Sequence, residues 1–135
     1  MERAAFKLES FRFTKASLNF EFPADSVLDI YFSPSGVYHK QDGVYDLKFS
    51  TIVKCEKTDV EVVNVFCLAQ FKFKEAVALE EIPDFFYPNS MAIIFPYIRA
   101  FVSTLSLQAN VKPIVLPTLN LQGLQQELRS KTTLE

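Results

Sequence analysis

The stretch that decides the fold runs from residue 88 to residue 119 and reads PNSMAIIFPYIRAFVSTLSLQANVKPIVLPTL. Its first two thirds place apolar residues at helical spacing, which predicts a long amphipathic helix over about residues 90–109. Asn89 or Ser90 is the predicted N-cap, because a short polar side chain there can accept a hydrogen bond from an unpaired backbone N–H. Pro96 lies inside the pattern and predicts a kink or the true start of the helix.

The end of this stretch predicts an extended connector followed by a second helix. Pro113 and Pro117 fall within residues 111–119, and proline is poorly tolerated inside a helix. Asn120 then predicts the N-cap of a short helix over about residues 120–131. The apolar face of that helix comprises Leu121, Leu124 and Leu128. The residues that follow are expected to fray.

Upstream of this stretch the apolar residues recur with period two, which is typical of strands. The alternating runs cover about residues 5–22, 27–33, 43–56 and 60–74. In the first run the parity changes twice, between Leu8 and Phe11 and again before Leu18, which predicts a bulge or bend. The turn residues Ser33 to Gly36 are predicted to end the second strand.

The order of these elements predicts one α+β domain over residues 1–135. It consists of a four-stranded antiparallel sheet, a crossover loop, one long helix, a proline-rich connector and a short C-terminal helix. The fourth strand carries Val62, Phe66 and Leu68 on the face opposite to its main apolar row. Apolar side chains on both faces of a strand that few helices can cover predict a contact between subunits.

Composition excludes several classes of protein. The chain has 135 residues, a formal net charge of -2, 22% charged and 49% hydrophobic residues. A protein that binds nucleic acid would need a basic face, and a disordered chain would need fewer apolar residues. The 14 Phe and 5 Tyr form either an aromatic core or a surface that binds a partner. Composition alone does not show which of these residues belong to the core and which to such a surface.

No group of residues in the sequence predicts catalysis, a metal site or a cofactor. His39 is the only histidine and lies beside a turn, where a solvated side chain is expected. Cys55 and Cys67 lie in apolar runs and are predicted to be buried free thiols in a reducing compartment. Glu80 and Glu81 form an acidic pair that is expected to be solvated. We therefore predict a protein that is not an enzyme.

Nothing near residues 1–3 resembles a secretory signal, which indicates a cytoplasmic protein. The most apolar segment, Met91 to Leu107, contains Pro96 and Arg99 and is short for a membrane span of about 20 residues. Insertion into a membrane is therefore not expected.

Specific motifs resemble those of the SecB family of export chaperones. Pro88 and Asn89, followed by IFPYIR at residues 94–99, are similar to the start of the family's long helix. The run VKPIVLPTLN at residues 111–120 is similar to the family's proline-punctuated connector. At the N-terminal side, residues 6–21 resemble the family's first strand, with Thr-Lys followed by Phe-Glu.

This resemblance implies an ATP-independent chaperone that binds unfolded or non-native polypeptides, in particular pre-proteins destined for export and translocation. It also implies a homotetramer built as a dimer of dimers, and no cofactor. The candidate client-binding residues, each of which could instead be core, are Phe32, Phe85, Phe86, Tyr87, Leu116, Leu119, Leu121 and Leu124. The candidate oligomer interface comprises Val62, Phe66, Leu68, Tyr97, Phe101 and Leu105.

The resemblance implies a SecA partnership only in part. Glu21 matches one acidic position that family members use to dock the SecA motor, whereas Ala16, Ser17 and Leu68 stand where acids are expected. Two other functions stay open. One is a SecB-like chaperone dedicated to a single client such as an antitoxin, and the other is a protein that binds an apolar small molecule in a pocket.

Overall fold

The computed structural model describes residues 5–135, which form a five-stranded sheet and two helices. The strands are β1 (Phe6–Leu18), β2 (Leu28–His39), β3 (Val44–Cys55), β4 (Glu61–Phe73) and β5 (Thr132–Leu134). The helices are α1 (Phe86–Gln108) and α2 (Leu121–Ser130), and a single 3₁₀ turn covers Leu79–Glu81. The α+β class predicted from the sequence is confirmed.

The spatial order of the strands is β1-β4-β3-β2-β5. The first four strands pair antiparallel, as predicted, and two short turns join β2 to β3 and β3 to β4. Each turn contains a residue with a positive φ: Gly43 at 65° in the first and Asp59 at 61° in the second. Glycine and aspartate tolerate this left-handed conformation, so the local sequence favours both turns.

Strand β1 has two irregularities in its pairing with β4, one between Leu8 and Ser10 and one between Phe13 and Lys15. At each of these shifts the strand gains one residue relative to its neighbour. The extra residues let Phe6, Phe11 and Phe13 pack against the core although their parity differs in the sequence. The bulge predicted from the change in parity is confirmed, and a second one is present.

The predicted end of the second strand at Ser33 to Gly36 was wrong, because β2 continues through these residues to His39. Pro34 pairs with Phe49 of β3, and its missing N–H lies on the side of β2 that faces away from β3. A proline in this orientation removes no hydrogen bond from the β2–β3 ladder. The turn falls at residues 40–43 instead.

The C-terminal residues, which were expected to fray, form β5 parallel to β2. The Gly36 N–H donates to the Lys131 carbonyl at 3.1 Å, and the Glu135 N–H donates to the Tyr38 carbonyl at 2.8 Å. A strand of three residues has too few alternating positions to show a pattern in the sequence. The sheet therefore has one short strand more than the four that were predicted.

Helix α1 begins four residues before its predicted start. Its N-cap is Phe85, so that Pro88 occupies the third helical position, where the missing N–H has no partner within the helix. The predicted cap at Asn89 or Ser90 was therefore wrong. The buried Ser90 hydroxyl instead donates to the Tyr87 carbonyl at 3.0 Å. Pro96 lies inside the helix, as the sequence indicated.

The hydrophobic core lies between α1 and one face of the sheet, which we call the core face. The centre of the core is the ring of Phe86, which has no exposed surface. Its ring centroid lies 4.7 Å from that of Tyr45, 4.8 Å from that of Phe6 and 5.0 Å from that of Phe73. Such edge-to-face and tilted aromatic pairs fix the position of α1 on the sheet.

Candidate functional site

An apolar groove opens between the β1–β2 connection and the segment after α1. Its volume is about 670 Å³. We call it the connector groove, and its apolar lining consists of Phe20, Phe22, Leu28, Ile30, Val53 and the apolar residues of the 111–115 segment. The groove is therefore walled by segments that are adjacent in space but up to 95 residues apart in sequence, from Phe20 to Val115.

The first wall of the connector groove is built by residues that follow β1. The Glu21 N–H donates to the Asn19 side-chain oxygen at 2.9 Å, and the Phe22 N–H donates to the Phe20 carbonyl at 3.0 Å. These local bonds hold an extended segment in which Phe20 and Phe22 are both half-buried. The chain then turns at Asp25, which has a φ of 62°, and enters β2.

The opposite wall is the connector, which two hydroxyl groups of α1 tether to the helix. The Ile114 N–H donates to the Ser106 hydroxyl at 2.9 Å, and the Ser103 hydroxyl donates to the Ile114 carbonyl at 3.0 Å. This tether orients Leu116 into the core, while Val115 in the groove is 66% exposed. An exposed valine beside an apolar groove is a surface that a partner could cover.

A second, smaller groove lies between α1 and the residues that lead into α2. Its volume is about 220 Å³, and we call it the helix groove. The residues that line it are Ala92, Phe95, Pro96, Arg99, Thr118, Leu119 and Leu121. The Phe95 ring also makes an edge-to-face contact with Phe32, with a centroid distance of 5.4 Å. Phe32 continues along β2 the row begun by Leu28 and Ile30, so this row connects the two grooves.

A polar cleft of about 120 Å³ lies at the other end of α2. There the Arg129 guanidinium forms an ion pair with Asp84 and lies 5.6 Å from the centroid of the Tyr87 ring. Burial raises the pKa of Tyr87 above its ordinary value, so this phenol stays protonated at neutral pH. These contacts and β5 hold the C-terminal end of α2 against the sheet.

Three of the predicted client-binding residues lie at or beside the helix groove. Leu119 and Leu121 line it, and Phe32 is half-buried beside it. Leu124 is half-buried on α2 and packs against the core instead. Phe85 is 51% exposed, but it lies at the start of α1 rather than in either groove.

The structure corrects three of the predicted client-binding residues. Phe86, Tyr87 and Leu116 are 0%, 4% and 1% exposed and belong to the core. Phe86 lies on the side of α1 that faces the sheet, and Leu116 is drawn inward by the tether of the connector. A polypeptide cannot reach these side chains without unfolding the domain.

The residues predicted for an oligomer interface are distributed over different surfaces. Val62 is fully buried and is therefore core, which corrects its assignment. Phe66 and Leu68 are half-buried on the outer sheet face, opposite the core face. Tyr97 is 46% exposed, and Phe101 and Leu105 are half-buried, all three on α1. Glu21, the predicted SecA contact, is exposed next to the connector groove.

Sequence reasoning missed most of the connector groove. It assigned Phe20 and Phe22 to the first strand and left Val111, Ile114 and Val115 as a plain connector. The available signal was the proline next to each of these apolar segments, Pro23 and Pro113. Apolar residues that continue beside a chain breaker have no strand or helix face to cover them.

The two thiols differ in environment, and both are free and buried. Hydrogen bonds from Thr58 and then Ser26 lower the pKa of Cys55 to about 7, because they stabilise the thiolate. Burial raises the pKa of Cys67 to about 11. His39 is paired with Asp46 at 2.8 Å. Within residues 5–135, no three His, Cys, Asp or Glu side chains group as a metal site.

Helix α1 is longer than the apolar segment Met91 to Leu107 that was considered in the sequence as a membrane span. With 23 residues it is long and apolar enough to cross a membrane, by length and composition alone. Nine of these residues are buried in the fold. A core helix of a globular domain passes the same criterion, so one such helix is weak support for a membrane span.

No protein-family model matches the sequence. An uncharacterised protein of Methanocaldococcus jannaschii is 35% identical over 95 residues, and the match covers 64% of this chain and 61% of that protein. The chain thus matches less than two thirds of the length of that relative.

Among solved structures, the Rv1957 SecB-like chaperone of Mycobacterium tuberculosis superposes with a TM-score of 0.70 at 18% sequence identity. The superposition covers 87% of this chain and 89% of that protein, whose structure is a complex with a ChAD peptide from the HigA1 antitoxin. The SecB-like fold that the sequence motifs predicted is therefore confirmed.

Proposed function

We propose that this chain is a chaperone that binds non-native polypeptide segments in the connector groove, without nucleotide or cofactor. The observation that carries the proposal is the groove itself, which has a volume of about 670 Å³. In it, apolar side chains from two chain segments face each other. Its apolar lining suits side chains that a folded protein would bury, and burial of apolar surface supplies the binding free energy.

The structural similarity supports this proposal and also supports a narrower form of it, a chaperone with one dedicated client. The Rv1957 chaperone shares the fold and is seen with an antitoxin peptide. A dedicated client is therefore a second form of the same function, beside general binding of pre-proteins for export. A general chaperone suppresses aggregation of unrelated unfolded proteins, whereas a dedicated one acts on few of them. Delivery of clients to SecA, for which Glu21 is the candidate contact, is a separate proposal.

The proposal is tested with reduced, carboxymethylated α-lactalbumin, which is permanently unfolded. We expect the protein to bind it at micromolar concentration and to suppress the aggregation of reduced insulin. Native α-lactalbumin serves as the control and should not bind. Absence of both activities would contradict general chaperone function, and synthetic antitoxin-derived peptides then test the dedicated form.

Variants in the connector groove test where the unfolded polypeptide binds. Val115→Glu places a carboxylate in the connector groove and should weaken binding at least about tenfold, because the charge would lose its hydration when an apolar segment binds. The matched control is Tyr31→Glu, since Tyr31 is 53% exposed on the outer sheet face. Equal binding by both variants would place the site elsewhere.

A small apolar molecule is a second candidate, because the groove volume falls within the roughly 300–1,000 Å³ of typical ligand sites. A fluorescent fatty acid and the unfolded protein can be offered together. If the fatty acid binds tightly and the unfolded protein does not bind, the pocket function is favoured over the chaperone function.

A further inference from the structure

The outer sheet face carries a group of basic side chains around two apolar ones. Leu68 of β4 lies between two cations, since it pairs with Arg12 of β1 on one side and with Lys48 of β3 on the other. Phe66, the neighbour of Leu68 along β4 on this face, pairs with Lys15 of β1. Residues paired in this way point to the same face and have Cβ atoms about 4.5–5.5 Å apart. We call these five residues the basic patch.

The three cations of the basic patch have no ion-pair partner in the part of the chain that the structure describes. The ion pairs found within residues 5–135 form elsewhere, and none of them includes Arg12, Lys15 or Lys48. Arg12 and Lys15 are exposed, and Lys48 is half-buried. Like charges gathered on one surface repel one another, so a bound negative group relieves this repulsion. The patch therefore favours a negatively charged partner.

The acidic residue beside Lys48 on β3 is held by other side chains. Asp46 lies two residues before Lys48 and on the same face of the sheet. One carboxylate oxygen of Asp46 accepts a hydrogen bond from Gln70 at 3.0 Å, and the other lies 2.8 Å from the Nε2 atom of His39. Both oxygens of Asp46 thus have partners, which explains why this carboxylate leaves Lys48 without an ion pair.

Two further acidic residues lie at the far end of these strands. Glu61 accepts a hydrogen bond from Asn64 at 3.1 Å, and Asp29 of β2 pairs with Lys54 of β3. The whole chain has a formal net charge of -2, so acidic residues outnumber basic ones over the rest of the molecule. The basic patch is therefore a local excess of positive charge, which the strands create and the composition does not show.

The apolar centre of the patch indicates a polypeptide partner. Phe66 and Leu68 are half-buried, and their free surface lies among the cations. A nucleic acid is a poorer match, because its tight binding neutralises about 6–10 phosphates with basic side chains. A second copy in a symmetric face-to-face contact would bring the same cations against each other, which is unfavourable. An acidic segment that carries an apolar side chain matches both parts of the patch.

We propose that the basic patch docks an acidic polypeptide segment of a partner protein. Carboxylates of the segment pair with Arg12, Lys15 and Lys48, and an apolar side chain between them covers Leu68. The patch lies on the opposite face of the sheet from the connector groove, so this docking is separate from the binding of non-native clients. Its charge is opposite to that of Glu21, the candidate SecA contact, so the two contacts suit different partners.

An acidic peptide tests the charge complementarity. The probe is a fluorescent nine-residue peptide with a central phenylalanine and two glutamates on each side of it, and its binding is measured by fluorescence anisotropy. The matched control peptide has glutamine in place of every glutamate. We expect the control to bind at least about tenfold more weakly, and the acidic peptide to lose affinity as sodium chloride rises from about 50 to 500 mM. Equal binding of the two peptides would overturn the proposal.

Charge reversal in the protein tests the position of the site. Lys48→Glu should weaken binding of the acidic peptide at least about tenfold, because it removes one cation and adds a repelling carboxylate. The matched control is Lys57→Glu, which makes the same change of charge in the exposed turn after β3 and should bind like the wild type. Arg12→Glu on β1 is a second variant, for use if circular dichroism shows that Lys48→Glu is misfolded. Equal loss in the patch variant and in Lys57→Glu would contradict docking at the patch.

Three further measurements distinguish this site from other occupants. Val115→Glu, in the connector groove, should bind the acidic peptide like the wild type, and a loss there would place the peptide in that groove and overturn the proposal while the chaperone function stands. Tighter binding of single-stranded DNA than of the peptide would favour a nucleic acid and contradict it. The mass of Lys48→Glu in light scattering should equal that of the wild type. A smaller mass would show that a second copy covers the patch, which also contradicts the proposal.

Discussion

The phenol of Tyr45 lies across Gly36, so close that a Cβ atom added to Gly36 would stand 2.1 Å from the Tyr45 hydroxyl oxygen. That hydroxyl is 2.5 Å from the Thr132 hydroxyl of β5, and the Tyr45 side chain is fully buried. Glycine at position 36 therefore makes room for the side chain that joins the C-terminal strand to the sheet.

Replacement of Gly36 tests this relationship. Gly36→Ala should lower the free energy of unfolding by about 1–3 kcal/mol, because the new methyl group must displace a buried tyrosine. Urea denaturation measures the change. The control is Gly123→Ala in α2, where nothing lies within 4 Å of an added Cβ and alanine should stabilise by about 0.5–1 kcal/mol. If Gly36→Ala leaves the free energy of unfolding unchanged, the Tyr45 side chain can move aside without cost.

Two adjacent phenylalanines should respond differently to truncation. Phe86 has no exposed surface and Phe85 is 51% exposed. Phe86→Ala should cost about 3–5 kcal/mol of stability, because it leaves a cavity among the aromatic rings. Phe85→Ala should change stability by less than about 0.5 kcal/mol. If Phe85 also contacts clients, its variant binds carboxymethylated α-lactalbumin more weakly at unchanged stability, whereas unchanged binding would remove it from the site.

The sequence was sufficient for elements whose own pattern is long. The alternation in β3 and β4 and the helical spacing in α1 extend over at least 12 residues each, so each predicts its element and its buried face. The turn assigned to Ser33 to Gly36 failed for a physical reason. Pro34 does not break β2 because its missing N–H lies on the side that faces away from β3, and Gly36 fits the strand because Tyr45 fills the space beside it. Both facts depend on residues far away in the sequence.

The candidate site was harder to predict than the fold. An apolar residue next to a proline is exposed or buried according to what other segments place over it. Leu116 and Val115 are neighbours in the connector, yet one is 1% and the other 66% exposed. The difference arises from the Ser103 and Ser106 tether, which the sequence does not reveal. The side of β2 that is free to pair is likewise a property of the assembled sheet.

The thiolate of Cys55 should form at a lower pH than that of a free cysteine. Hydrogen bonds from Thr58 and Ser26 lower its pKa to about 7 from 9.0. In a Cys67→Ala variant, the thiolate absorbance at 240 nm should therefore rise with a midpoint near pH 7. Since the pKa is depressed on folding, the contribution of this thiol to stability is present above pH 9 and is lost as the pH falls through about 7.

The variant Thr58→Val tests whether the hydrogen bond from Thr58 causes the low pKa of Cys55. It removes the hydroxyl donor and should raise the midpoint of the Cys55 titration towards the ordinary value of 9.0. The complementary variant Cys55→Ala leaves Cys67, whose pKa burial raises to about 11. A midpoint for Cys55 near the ordinary value of 9.0 when Thr58 is unchanged would show that these hydrogen bonds do not stabilise its thiolate.

The flank of α1 that lies beside β1 is predicted to be the contact between subunits. Ile93 and Tyr97 are 39% and 46% exposed there. The Tyr97 ring lies 4.4 Å from that of Phe11, and Phe101 stacks on Phe13 at 3.9 Å. The exposed rings are thus held in place by β1, and a rigid apolar surface is favourable for association.

Tyr97→Glu should dissociate the oligomer, because burial of an unpaired carboxylate at a subunit contact is unfavourable. Light scattering should give a multiple of 15.4 kDa for the wild type and a smaller multiple for the variant. Tyr31→Glu changes a tyrosine of similar exposure on β2 and should leave the mass unchanged. A wild type that is monomeric at all concentrations would contradict the predicted assembly. A variant of unchanged mass would instead shift the contact to Phe66 and Leu68 on the outer sheet face.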